Sequence, residues 1–244
     1  MYKPEERLIV ALDVPTRKDV EQACAAIGDS AVFYKVGLQL FLPEGAGVLR
    51  YLKGRGLKVF LDLKLHDIPH QVAGACREIA RMGADMTTVH TMGGVEMMRA
   101  AARAVRESAL ELGVKPPILL GVTVLTSLNQ SQAGEIGIAA KISQHVVRLA
   151  TLAKESGLDG VVASPLEVEA IRAAVGEDFV IVTPGIRSSA DVVGDQKRVM
   201  SAADAIGAGS TYLVVGRPIM ESDDPGKAAA AVAAEIVRAL NART

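Results

Sequence analysis

Eight short β-branched runs alternate with Ala-rich amphipathic stretches along the 244 residues. That alternation narrows the possible folds more than any other feature. The runs fall at 8–13, 32–36, 59–63, 86–90, 118–125, 160–163, 180–184 and 212–216. Most are continuously apolar rather than alternating, which suits parallel strands covered on the outside by helices. Helical patterns lie between them, among others at 18–27, 95–112, 139–156, 165–174, 199–205 and 225–241. Gly56, Gly83, Gly113, Gly157 and Gly207 stand where helices should close before the next strand, as C-capping chemistry requires.

Eight strand–helix units in about 250 residues predict a closed (β/α)8 TIM barrel, an α/β fold. The competing arrangement is an open doubly wound sheet. Its dinucleotide-binding version needs a G-x-G-x-x-G after the first strand, and IVALDVPTRKD contains none. No linker, low-complexity stretch or short-period repeat interrupts the pattern. One domain spanning 1–244 is expected.

With 50% hydrophobic residues the chain can fill one sizeable core. Lys plus Arg (27) nearly balance Asp plus Glu (28), whereas nucleic-acid binders usually carry a basic excess. The aromatic content of 3% leaves few platforms for base stacking. No stretch approaches the ~20 apolar residues that span a bilayer, and MYKPEERLIV lacks an apolar signal core. Neither a nucleic-acid nor a membrane partner is expected. Cys24 and Cys76 lie in helix-like EQACAAI and AGACREI, with neither metal-ligand spacing nor a disulfide framework. A reduced, cytoplasmic setting fits.

The chemistry concentrates in FLDLKLHDIP at 60–69, which places Asp62, Lys64 and Asp67 within six positions. Residues two apart on a strand share a face. Asp62 and Lys64 therefore face one way, and Leu61, Leu63 and Leu65 the other. Burying a carboxylate and an ammonium together costs several kcal/mol unless the geometry compensates. A strand that carries both is more readily a site than a surface.

Barrel active sites lie at the C-terminal ends of the strands, and polar residues accumulate there. Strand one ends in Asp13, two in Lys35, three in Asp62 and Lys64, four in His90, and five runs out in Thr126 and Ser127. Each has an ordinary structural alternative. Asp13 caps a helix, Lys35 snorkels to solvent, His90 is a satisfied core histidine, and Thr126 or Ser127 is an N-cap. Strands seven and eight end in TPGIR (183–187) and VVGRPI (214–219). Each joins a glycine, which lets backbone amides approach, to an arginine, whose donor fork suits phosphate. Barrels commonly bind phosphate after these two strands; the alternative is two exposed arginines on turns. Gln196 follows as an uncharged donor, and SSADVVGDQK at 188–197 is the candidate lid.

A substrate with a phosphate at one end is therefore expected, its reacting centre beneath Lys35, Asp62, Lys64 and Asp67. Such an array suits loss of one anion and development of another. An aspartate disfavours a neighbouring substrate carboxylate, and an ammonium stabilises a carbanion and can protonate it.

These residues resemble the orotidine 5'-phosphate decarboxylase family from end to end. The resemblance rests on VALDV (10–14), FYKVG (33–37), DLKLHDIP (62–69), VTVLTSL (122–128), TPGIR and VVGRPI, in that order and spacing. D-x-K-x-x-D alone is shared by a wider superfamily of phosphosugar barrels. The resemblance implies decarboxylation of orotidine 5'-monophosphate to UMP, with neither metal nor organic cofactor. It implies Lys64 as proton donor to C6, Asp62 against the departing carboxylate, and Lys35 as a bridge from Asp62 to the ribose hydroxyls. It further implies that Asp67 reaches into the neighbouring site of a homodimer, and that Asp13 binds ribose. Thr126 or Ser127, Thr126 ranked first, would contact the pyrimidine. Arg187, Gln196, Gly216 and Arg217 would hold the phosphate, and Ile68, Gln71 and Pro184 would also contact substrate. One departure stands out: the family commonly continues DIP with Asn-Thr, whereas this chain reads DIPHQV. His70 reads as a surface loop position, and Gln71 replaces a shorter threonine. Two rivals remain, a metal-dependent enzyme of the same barrel superfamily and a non-catalytic nucleotide binder. Lys35 is awkward where a metal ligand would stand, and four retained ionisable groups have little purpose in a non-catalytic mouth.

Overall fold

The computed structural model describes residues 6–186 and 200–242. Its strands are β1 (Leu8–Ala11), β2 (Phe33–Gly37), β3 (Lys58–Leu65), β4 (Met86–His90), β5 (Ile118–Val122), β6 (Gly160–Val162), β7 (Val180–Pro184) and β8 (Tyr212–Val215). They pair in parallel in chain order, and Leu8–Val10 of β1 pair with Leu213–Val215 of β8, closing the barrel. The open-sheet alternative is thereby excluded. The helices are α1 (Arg17–Ile27), α2 (Leu38–Glu44), α3 (Ala46–Gly54), α4 (Pro69–Arg81), α5 (Gly94–Leu112) and α6 (Gln130–Glu135). They continue with α7 (Ile142–Glu155), α8 (Val168–Val175), α9 (Ala202–Ala208), α10 (Arg217–Met220) and α11 (Pro225–Asn241).

The two faces of each strand meet different cores. Ile9, Phe33, Phe60, Met86, Leu120 and Tyr212 fill the barrel interior. Phe33 and Tyr212 meet edge to face there, at 5.9 Å and 88°. Their neighbours Val10, Tyr34, Leu61 and Leu213 point outward, where helices cover them. Both faces are buried, so the sequence runs are continuous rather than alternating. Stepping by two along the inner face leads from apolar to polar. Ala11 gives way to Asp13, Phe33 to Lys35, Phe60 to Asp62, and Met86 to Thr88. The apolar floor and polar mouth thus lie on the same strands.

Local signals position the helices. The Thr16 side chain accepts from the Asp19 amide while Asp19 accepts from the Thr16 amide, a capping box that starts α1. Its buried face is Val20, Cys24 and Ile27. At the N-terminal end of the barrel, Asp85 accepts from the Val59 amide at 2.7 Å and pairs with Lys53 at 2.7 Å. Asp159 accepts likewise from the Leu119 amide at 2.8 Å. These carboxylates tie strands together. Cys24 and Cys76 are buried and free. Burial raises both thiols, that of Cys76 to about 12, so they are neutral core residues. No helix among the described residues is long and apolar enough to cross a membrane.

Several boundaries differ from the sequence expectation. Gly207 lies inside α9, which Gly209 closes at φ 114°, a left-handed conformation that favours glycine. Lys35 is the middle residue of β2, not its end. β1 stops at Ala11 and β5 at Val122, short of their apolar runs, because the chain turns off the ladder at the mouth. The expected helix at 139–156 begins at Ile142, and 130–135 forms the separate helix α6, capped by Asn129. The expected helix at 165–174 splits into a 3₁₀ turn, Pro165–Glu167, and α8. The helix expected from 199 begins at Ala202, and residue 199 lies outside the described residues.

Candidate active site

The third strand is irregular where its chemistry lies. Leu61 is in register with Thr87 and Leu65 with Val89. Asp62, Leu63 and Lys64 therefore stand opposite Thr88 alone. Lys64 has φ 51° and is the one non-glycine residue with positive φ among the described residues. For a long side chain that backbone costs about 1–3 kcal/mol. The bulge lets the Lys64 ammonium fold back onto Asp62, Nζ to Oδ2, at 2.7 Å. The Asp62 side chain is 10% exposed and that of Lys64 35%. Leu61 is buried in the outer core and Leu63 and Leu65 pack against it, so the expected division of faces holds despite the bulge.

A second pair joins β2 to the segment that follows β1. Lys35 Nζ bonds Asp13 Oδ1 at 2.9 Å. The Lys35 side chain is 12% exposed and that of Asp13 58%. Thus Lys35 is not snorkelling to solvent, and Asp13 does not cap α1, since Thr16 does. The ion pairs of Lys35 and Lys64 are separate: Lys35 bonds Asp13, while Asp62 bonds Lys64.

Both pairs open into one cavity of about 260 Å³, close to the ~300 Å³ at which small-molecule sites begin. Asp13, Lys35, Asp62, Lys64 and Thr126 supply its polar wall. Phe60, Val162, Ile186 and Val214 supply its apolar wall. Pro184, Gly185, Gly216, Arg217 and Pro218 bring the ends of β7 and β8 to the same space. Gly185 has φ 83°, a left-handed turn that needs glycine. Lys35, Lys64, Asp13, Asp62, the Gly185 turn after β7 and the Gly216–Arg217 turn after β8 therefore converge on one space. Among these ends, Arg187, Gln196 and the 188–197 stretch lie outside the described residues.

The remaining expected residues divide. Thr126 lines the cavity, whereas Ser127 is exposed and does not. Neither caps α6, because Asn129 does. Asp67, Ile68 and Gln71 are exposed and lie outside the cavity lining. Asp67 Oδ1 accepts from the Ile68 amide at 2.6 Å. His70 is exposed in the first turn of α4, a helix position rather than a loop one. His90 is half-buried and stacks on His66, ring centroids 5.3 Å apart. Burial lowers its pKa, and the neighbouring His66 and Lys64 charges lower it further. It behaves as a packed histidine beside the site.

Sequence reasoning missed Thr88. Its hydroxyl donates to Asp62 Oδ1 at 3.0 Å and accepts from the Lys64 amide at 2.9 Å, with no solvent exposure. The sequence does carry a signal: Met86, Thr88 and His90 step by two along β4, which puts Thr88 on the same face as His90. The apolar wall was also unread, because its residues look like ordinary strand interior.

Fold and site together define a (β/α)8-barrel protein with an ionisable strand-end cavity suited to a small anionic molecule. The sequence matches the orotidine 5'-phosphate decarboxylase / HUMPS family over residues 6–232. It is 50% identical over 233 residues to orotidine 5'-phosphate decarboxylase of Moorella thermoacetica, covering 95% of this chain and 92% of that protein. To the Trichlorobacter lovleyi protein of the same name it is 48% identical, covering 96% of each. The crystal structure of the Lactobacillus acidophilus orotidine 5'-phosphate decarboxylase superposes with a TM-score of 0.85 at 37% identity, covering 95% of this chain and 99% of the other. The chain belongs to the orotidine 5'-phosphate decarboxylase / HUMPS family.

Proposed function

We propose that this chain decarboxylates orotidine 5'-monophosphate to UMP in pyrimidine biosynthesis, by direct loss of carbon dioxide and protonation of C6 by Lys64. Family membership supports the reaction. The mechanism rests on one observation: a lysine ammonium held at 2.7 Å from a buried carboxylate, in a cavity that also receives the β7 and β8 turns.

In this reading the substrate carboxylate lies against Asp62. The C6–carboxylate bond breaks, carbon dioxide leaves, and the electron pair stays on C6. The Lys64 ammonium stabilises that charge and delivers its proton. The preformed Asp62–Lys64 contact orients the proton donor before substrate arrives. Lys35 and Asp13 bind the ribose hydroxyls, Thr126 contacts the pyrimidine, and Pro184, Gly216 and Arg217 approach the phosphate together with Arg187 and Gln196. Asp67, exposed and outside its own chain's cavity, serves the site of a second subunit in a homodimer, with Ile68 and Gln71 beside it.

The direct test is the ultraviolet change as purified protein consumes orotidine 5'-monophosphate. No change at micromolar enzyme overturns the reaction. Arg217→Ala should raise KM and also lower kcat/KM by about 10- to 100-fold, because remote binding energy supports the chemistry. Mixing inactive Asp67→Ala and Lys64→Ala subunits should restore part of the activity. Verified heterodimers that stay inactive refute the shared site. Turnover should persist in excess chelator; loss that magnesium reverses would favour the metal-dependent rival.

A further inference from the structure

We infer that Thr88 is a positioning residue for the reacting pair, acting through Asp62 and Lys64 rather than on substrate. The inference rests on the catalytic reading of those two residues. The β3 bulge removes the usual ladder partners between Leu61 and Leu65. In their place stands one hydroxyl. It accepts from the Lys64 amide at 2.9 Å and donates to Asp62 Oδ1 at 3.0 Å. Lys64 Nζ closes the ring on Asp62 Oδ2 at 2.7 Å. A hydroxyl has one proton to give and lone pairs to accept with, so both bonds form at once.

Each bond has a separate task. The bond to the Lys64 amide satisfies a backbone donor inside the stretch where the β3–β4 register shifts. The bond to Asp62 occupies one carboxylate oxygen and leaves the other to the ammonium. The carboxylate is thereby held by two donors on two strands and cannot rotate without breaking one. Thr88 has no solvent exposure and does not line the cavity. It therefore has no route to substrate except through its neighbours. Its backbone sits in the regular β4–β5 ladder opposite Leu120, so the hydroxyl is carried by a part of the barrel that the bulge does not disturb.

Thr88→Val keeps the shape and deletes the hydroxyl. Its kcat should fall on the order of 10- to 100-fold, as loss of a bond to a charged group implies. Affinity for UMP should stay within about threefold, and Thr88→Ser should restore kcat to within about threefold of the parent. Thr88→Ala serves as the deletion if the valine variant fails to fold, read by the same criteria. A deletion variant that folds and keeps kcat within threefold overturns the inference. So does a serine variant as slow as the deletion, or a deletion whose kcat and UMP affinity fall in parallel. Lys64→Ala is measured alongside. If it remains active, the catalytic reading fails; if it is inactive while the Thr88 deletion is fully active, only the positioning role fails.

Discussion

Asp13–Lys35 and Asp62–Lys64 are both aspartate–lysine pairs at the mouth of one barrel, with contacts of 2.9 and 2.7 Å. Their surroundings differ. The first joins Lys35 of β2 to Asp13, two residues past the end of β1, and its carboxylate is 58% exposed. Water reaches that carboxylate and screens the pair from one side, while the Lys35 side chain is only 12% exposed. The second joins residues two apart on one distorted strand, its carboxylate is buried, and Thr88 holds both members. A contact held by a buried third group keeps its geometry, whereas a carboxylate open to water can exchange partners at lower cost. In the proposed mechanism the rigid pair delivers the proton, and the adjustable pair binds hydroxyls that displace one of its members.

Four substitutions test that contrast. Lys64→Ala should have the largest effect, a drop in kcat of at least roughly 10³-fold with UMP binding still measurable by titration. Survival of turnover within tenfold would remove the distinction between the pairs. The two carboxylates come next. Asp62→Ala should lower kcat about 10²- to 10³-fold, while Asp13→Ala should mainly raise KM, by about tenfold. Equal kcat losses in steady-state assays would show that both pairs are equally committed. Gly37→Ala is a milder probe of the adjustable pair alone. Its new Cβ would lie 3.1 Å from Lys35 Nζ and 3.5 Å from Asp13 Oδ1. The flexible ammonium can move aside, so KM should rise less than about fivefold with kcat retained. A large kcat loss would mean that Lys35 is as constrained as Lys64.

The smallest effect concerns His90, on the rigid side. Burial first, then the His66 and Lys64 charges, lower its pKa. The unfolded chain thus binds the proton more readily than the folded one. Stability from this group is complete above the ordinary histidine value of about 6.5 and is lost as pH falls through the lowered value. Urea midpoints at pH 7.5 and 5.5 should differ less for His90→Asn than for the parent. An equal difference would remove His90 from the acid response.

Much of this was legible beforehand because it depends on short-range periodicity. The order of strands and helices, the inner placement of Asp62 with Lys64, and the glycine turns that end β7 and β8 all follow from neighbours in sequence. Less legible was where regular structure stops. Val124 and Leu125 continue the β5 run in composition but lie past its last residue, Val122, in irregular backbone. Gly207 and Gly209 compete as helix ends within three residues, and only backbone geometry selects the second.

The sequence by itself determined a barrel with a charged mouth, since strand alternation fixes which residues face inward before any strand finds its partner. Tertiary structure alone decided who meets whom there. Lys35 bonds Asp13, 22 residues away, and the Thr88 hydroxyl reaches Asp62 and Lys64 across 26 and 24 residues. Those contacts depend on inter-strand register and on a bulge in β3, which arise only when β3 and β4 are held side by side by the whole closed sheet.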